Sequence, residues 1–118
     1  MAKADIEMND MMVSDVPAVM GDPSAMFARA REASDLMKSL SNETRLLILC
    51  HLSSGEMTVT QLEGKLHIPQ ASLSQQLARL RNERLVKTRR DGRMIYYSIA
   101  DERVSSVVGT LYGLYCGV

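Results

Sequence analysis

Two thiols, Cys50 and Cys116, are the most reactive side chains in the 118-residue chain. A pair of thiols can be oxidised to a bridge, take up sulfur or ligate a metal, and in each case the reacting species is the thiolate. Two cysteines so far apart in sequence make neither a disulfide framework nor a CxxC metal clip. The two histidines, His51 and His67, have no partner at ligand spacing, so neither a bound metal nor another cofactor is expected. No Ser/His/Asp arrangement, paired carboxylates, glycine-rich phosphate loop or HExxH motif is present, and the chain is read as no enzyme. Free cysteines are also among the most buried residue types, so a purely structural role stays open. Against it, Cys116 stands two residues from the last and directly after Tyr115, where an apolar stripe ends.

The second chemically suggestive region is basic. Between Ser72 and Arg93 seven basic residues (Arg79, Arg81, Arg84, Lys87, Arg89, Arg90, Arg93) face only Glu83 and Asp91, although the whole chain is neutral. Such a stripe suits phosphate neutralisation, the main source of sequence-independent nucleic-acid affinity. A solvated charged face has the same composition, so charge alone does not decide. The stretch Gln70 to Ala78 adds a second signal, because it carries no charge at all. Leu73, Leu77 and Leu80 form one helical stripe there, which turns Ala71, Gln75, Ala78 and Asn82 outward, flanked by Ser72, Ser74 and Arg79. Glutamine can pair with adenine, serine with several bases, and alanine methyls can meet thymine. The expected contacts with double-stranded DNA are therefore Gln70, Ser72, Ser74, Gln75 and Arg79 on this helix, with Arg89, Arg90 and Arg93 beside it.

The elements that must position these residues follow from spacing and caps. Residues 1–23 carry one basic and five acidic residues with no sustained period, and read as a flexible, acidic, Met-rich arm. Residues 24–118 read as one domain, whose aromatic content of 4% leaves the core to aliphatic side chains and favours helix. Asp22 and Pro23 open a first helix that reaches about Leu40. Ser41 is expected to cap a second, over Glu43 to Ser53, with Gly55 ending it in the left-handed conformation. Thr58 to Gln61 fits a capping box for a short third helix to about His67, and a fourth follows Pro69 from Gln70 to about Glu83. Leu85 to Arg90 and Arg93 to Ile99 flank Asp91-Gly92, a two-residue hairpin signal. A last helix after Asp101 carries Val104, Val107, Val108, Leu111, Tyr112 and Tyr115 on one face. The result is a mainly α fold with a small β-hairpin, the winged helix-turn-helix order α-α-α-α-β-β-α, whose fourth helix enters the major groove. Tyr96 and Tyr97 fall on opposite faces of the hairpin, one for the core and one for DNA or a partner. The wide apolar stripes of the first and last helices predict a homodimer through them. The longest apolar run, Leu46 to Cys50, is far too short for a membrane span, and no signal-peptide pattern opens the sequence, so a cytoplasmic protein is expected. A module that uses this fold only for protein contacts is the competing class.

The runs Leu40-Ser41-Asn42-Glu43-Thr44-Arg45-Leu46-Leu47-Ile48-Leu49, Gln70-Ala71-Ser72-Leu73-Ser74-Gln75-Gln76-Leu77 and Leu85-Val86-Lys87-Thr88-Arg89-Arg90-Asp91-Gly92-Arg93 together resemble the ArsR/SmtB family of bacterial repressors. The likeness spans about Ser24 to Cys116 and implies a homodimer that blocks a promoter until an inducer is sensed. Many members of that family sense metals, but here the third-helix segment Val59 to Leu66 has no Cys or His, and Asp101 is followed two places on by Arg103 in place of His. One cysteine on the second helix and one near the end of the last resembles the sulfide- and persulfide-responsive subgroup represented by BigR and SqrR. That resemblance implies that reactive sulfur species join Cys50 and Cys116 by a polysulfide or disulfide bridge and so release the DNA. It calls for at least one accessible cysteine with a lowered pKa. Arg45, one turn and a residue before Cys50, is the basic side chain before it on the same helix. The alternative is a repressor of the same family with structural cysteines that responds to a general oxidant, haem or a metal.

Overall fold

The computed structural model describes residues 22–117 and divides the chain between Ser34 and Asp35. The elements are α1 (Ala25–Leu40), α2 (Glu43–Leu52), α3 (Val59–Leu66), α4 (Gln70–Asn82), β1 (Val86–Asp91), β2 (Met94–Ile99) and α5 (Glu102–Cys116). Five helices and a two-stranded antiparallel hairpin give the expected mainly helical winged fold. The arm expected over 1–23 lies outside the described residues except for Asp22 and Pro23.

In the first unit, the carboxylate of Asp22 accepts from the Ser24 amide (3.0 Å) and hydroxyl (2.8 Å), so the chain makes a turn before α1 begins at Ala25. Met26 and Phe27 are exposed there, and Arg29 pairs with Glu32 at 3.0 Å.

The second unit holds the core. The side of α2 bearing Ile48, Leu49 and Leu52 meets Leu62 of α3, the Leu73–Leu77–Leu80 stripe of α4, and Val104 and Val108 of α5, all buried. Burial of full aliphatic side chains is the dominant favourable contribution to such a fold. The cap of α2 is Asn42, whose side chain accepts from the Arg45 amide at 3.0 Å, and not Ser41. An amide oxygen on Asn42 sits three residues before that donor, the usual reach of a helix cap. At the other end α2 closes through Ser53, in right-handed helical backbone, whereas Gly55 has a φ of +147°, positive but far from the left-handed helix expected of it.

The Thr58 capping box of α3 is complete: Gln61 donates its amide to Oγ1 of Thr58 (3.1 Å), and Thr58 donates its amide to Oε1 of Gln61 (2.9 Å). His67 ends α3 in left-handed backbone and donates its amide to the Glu63 carbonyl at 2.9 Å, a one-bond helix terminus. Pro69 then forbids continuation and seats the first turn of α4.

The end of α4 is a Schellman motif. Arg84 takes the left-handed position (φ +62°) and donates to the Arg81 carbonyl, while Leu85 donates to the Leu80 carbonyl, both at 2.9 Å. Leu80 and Leu85 are buried, which supplies the apolar contact that accompanies this terminus. In the hairpin Asp91 pairs with Met94, so the two-residue loop is Gly92-Arg93, one position later than Asp91-Gly92. Only Gly92 needs a positive φ (+64°), the pattern of a type II′ turn with glycine first. Among the described residues no helix is long and apolar enough to cross a membrane.

Candidate nucleic-acid interface and thiol pair

Helices α3 and α4 form the helix-turn-helix, and the leucine stripe fixes which side of α4 faces out. Gln70, Ser72, Ser74, Gln75 and Arg79 are all exposed, as are Ala71, Ala78 and Asn82. No side chain caps the start of α4, because Pro69 occupies that place. Its first amides are therefore open to an acceptor such as a phosphate oxygen.

A polar network that sequence reasoning missed supports α4 from below. Arg45 is 5% exposed and donates Nε to the Ser39 carbonyl (2.7 Å) and Nη1 to Oε1 of Gln76 (2.9 Å). The Ser39 hydroxyl bonds to Oε1 of Glu83, whose other oxygen accepts from Nε of Arg79 at 3.2 Å. The Ser39 bond above all holds the Glu83 carboxyl below its ordinary range, with Arg79 and Arg45 adding to it against the effect of burial. Burial pushes the Arg45 guanidinium down, and the charge of Arg79 does the same. The sequence signal for Arg45 is its period: it lies three and four residues before Ile48 and Leu49, on the buried side of α2.

On the wing, alternation separates the arginines. Arg90 shares a face with Thr88 and with Tyr97, which packs on the core, whereas Arg89 lies opposite Tyr96 on the other face. The guanidinium of Arg89 stands over the Tyr96 ring, 4.6 Å from its centroid, and pairs with both carboxylate oxygens of Glu56, Nε–Oε1 at 3.1 Å and Nη2–Oε2 at 2.6 Å. This fork holds the Glu56 carboxyl below its ordinary value. Tyr97 is thus the inward tyrosine, and its main chain pairs with Met57 beside the hairpin. Arg90 and Arg93 are exposed and have no ion pair among the described residues.

Helix α2 packs on α5, which brings Cys50 and Cys116 near enough for the charge of Cys116 to act on Cys50. Cys50 is half-buried and Cys116 exposed. Burial first, and the charge of Cys116 second, push the Cys50 thiol above its ordinary range, so the expected lowering does not apply to Cys50. Arg45 offers it no relief, because its guanidinium is turned to Ser39 and Gln76. The Nδ1 atom of His51 lies 3.0 Å from the Leu47 carbonyl, and His67 serves as a helix terminus. Among the described residues no three His, Cys, Asp or Glu side chains gather as a metal site.

A helix-turn-helix with an exposed, hydrogen-bonding second helix and a basic wing defines a winged-helix DNA-binding regulator. Residues 42–88 match the model of the bacterial regulatory proteins of the arsR family. The biofilm growth-associated repressor of Agrobacterium fabrum is 41% identical over 92 residues, 78% of this chain and 79% of that protein. The crystal structure of the transcriptional repressor BigR from Xylella fastidiosa superposes with a TM-score of 0.78 at 37% identity, over 82% of this chain and 99% of that one. Reduced HlyU from Vibrio cholerae gives a TM-score of 0.74 at 37% identity, over 78% and 97%. The chain belongs to the arsR family and is a DNA-binding transcriptional repressor.

Proposed function

We propose that this repressor works in the cytoplasm as a homodimer on promoter DNA and is released when Cys50 and Cys116 become joined by sulfur. The single observation that carries the reading is the packing of α2 on α5, which puts the half-buried Cys50 and the exposed Cys116 on neighbouring helices, close enough for a charge on Cys116 to raise the Cys50 pKa. The dimer is supported by apolar side chains left uncovered: Met26, Phe27 and Met37 on α1, and Tyr112, Leu114 and Tyr115 on α5. Two-fold symmetry would set half-sites about one DNA turn apart. Gln70, Ser72, Ser74, Gln75 and Arg79 then meet the major groove, and Arg90 and Arg93 meet the backbone or minor groove.

The inducer is a low-molecular-weight persulfide. The exposed Cys116 thiolate attacks its terminal sulfur, so that Cys116 carries a persulfide and the donor leaves as a thiolate. Attack by the Cys50 thiolate on Sγ of Cys116 expels hydrosulfide and closes a disulfide. Where both cysteines already carry sulfur, attack of one persulfide on Sγ of the other expels hydrosulfide and leaves a trisulfide. Either bridge ties α2 to α5 and favours a dimer geometry in which the two α4 helices no longer match successive grooves.

The test is the intact mass and tryptic map of reduced protein after a persulfide donor and, separately, after peroxide. A Cys50–Cys116 cross-link with added sulfur under the donor alone supports reactive-sulfur sensing. A plain disulfide under both treatments replaces it with a general oxidation switch, and two free thiols throughout overturn it. Cys50→Ser and Cys116→Ser each keep DNA binding and lose release. Because the Cys50 pKa is raised, its thiolate fraction keeps growing as pH climbs past the ordinary thiol range, so the closing step, followed by stopped-flow mass analysis of Cys116-persulfidated protein, accelerates with rising pH.

A further inference from the structure

The side chain of Arg89 crosses the wing. It starts on β1, passes over the ring of Tyr96 on β2, and ends in a two-pronged pair with Glu56, in the segment between α2 and α3. Glu56 is followed by Met57, whose main chain is bonded to β2: Met57 donates to the Tyr97 carbonyl (3.0 Å), and Tyr97 donates to the Met57 carbonyl (2.8 Å). Three neighbouring strands of chain are thus joined on one face by a single guanidinium, while Arg90 projects from the other face with no ion pair among the described residues.

We propose that Arg89 serves DNA binding as a positioning residue, a strap that fixes the pitch of the wing through Tyr96 and Glu56, and that Arg90, not Arg89, meets the phosphate. A guanidinium fork can satisfy both carboxylate oxygens and lie flat on a ring at once, which an ammonium cannot do. The inference rests on the DNA-binding role of the family and assigns opposite jobs to two adjacent arginines of the basic stripe.

The two jobs differ in sign and in salt dependence. A lost phosphate contact lowers the slope of log affinity against log salt by about 0.9, whereas a lost strap weakens binding at every salt concentration alike. Removing the charge of Glu56 makes the surface more positive, so an arginine that competes between Glu56 and phosphate binds DNA better in Glu56→Gln. A strap binds worse.

The experiment uses full-length protein and a duplex that the wild type selects from a randomised pool, titrated over a salt series. Arg89→Ala and Glu56→Gln are expected to weaken binding by the same factor, about two- to fivefold, the range of a well-formed exposed pair. The double variant is no weaker than either, Arg89→Lys does not rescue, and the slopes stay at the wild-type value. Arg90→Ala, by contrast, flattens the slope. In free protein, the Met57 and Tyr97 amides exchange faster in Arg89→Ala. A flattened slope in Arg89→Ala with tighter binding in Glu56→Gln overturns the proposal, as does unchanged exchange at those amides. Failure of the wild type to select any duplex overturns the DNA-binding reading itself, and is distinguished by leaving the exchange result intact.

Discussion

Helix α4 and the wing lie side by side in sequence, yet they are seated by opposite means. Under α4 lie three fully buried leucines and the covered guanidinium of Arg45. The wing buries Val86 at its root and packs Tyr97 and Ile99 of β2 against the core, but toward its tip it relies on the exposed Arg89–Glu56 fork. A helix held by the core cannot be displaced without partly unfolding the protein, because close-packed interiors do not deform gradually. A hairpin whose pitch is held by surface bonds loses that pitch, at little expense to stability, once those bonds are cut. Substitutions under α4 should therefore appear as lost stability, and substitutions on the wing as altered DNA binding by a protein that remains folded.

The sharpest test of this contrast is Leu77→Ala, which empties a fully buried position and is expected to lower unfolding free energy by about 2–5 kcal/mol in denaturant titration. A loss of only a few tenths would mean that α4 is not seated by its leucines. Next in size is Gln76→Ala, which leaves the covered Nη1 of Arg45 without its acceptor and should cost about 1–3 kcal/mol, again read by denaturant. Arg84→Gly is expected to act in the other direction. It removes the side chain from a left-handed position and should stabilise by about 1 kcal/mol, seen as a higher unfolding midpoint. The smallest effect on stability belongs to Arg90→Ala, expected to leave the unfolding curve in place while it lowers the salt slope of DNA binding by about 1. A shifted unfolding curve for Arg90→Ala would erase the contrast between the two regions.

The order of elements was legible because each carries its own local signal. The leucine period of α4, the Thr58–Gln61 box and the glycine of the hairpin are short-range features, and each appears in the structure. The errors are equally local. The α2 cap moved from Ser41 to Asn42, and the hairpin loop moved by one residue, because Gly92 takes the first of the two loop positions and not the second. What could not be read was long-range partnership. Glu56 and Arg89, Ser39 and Glu83, and Arg45 and Gln76 are joined only once the chain has folded, and no spacing rule links residues 33, 44 or 31 places apart. The same limit hid the partner of Arg89, since a basic stripe points to phosphate and says nothing of the Glu56 carboxylate that Arg89 pairs with.

The Schellman terminus at Arg84 has a mechanical consequence. Leu85 is at once the residue that locks the end of α4, through its amide, and the anchor that receives the Ala100 amide on the far side of the hairpin at 2.9 Å. With β1 starting at Val86, no slack separates the helix from the wing, and while the Arg89–Glu56 fork stays closed the two form one lever of fixed length. Such a lever cannot adapt the distance between its two points of contact to a given duplex. The DNA must supply the adjustment, by narrowing or bending, and some sequences do this far more readily than others. Base steps that no side chain touches then become part of what the protein selects.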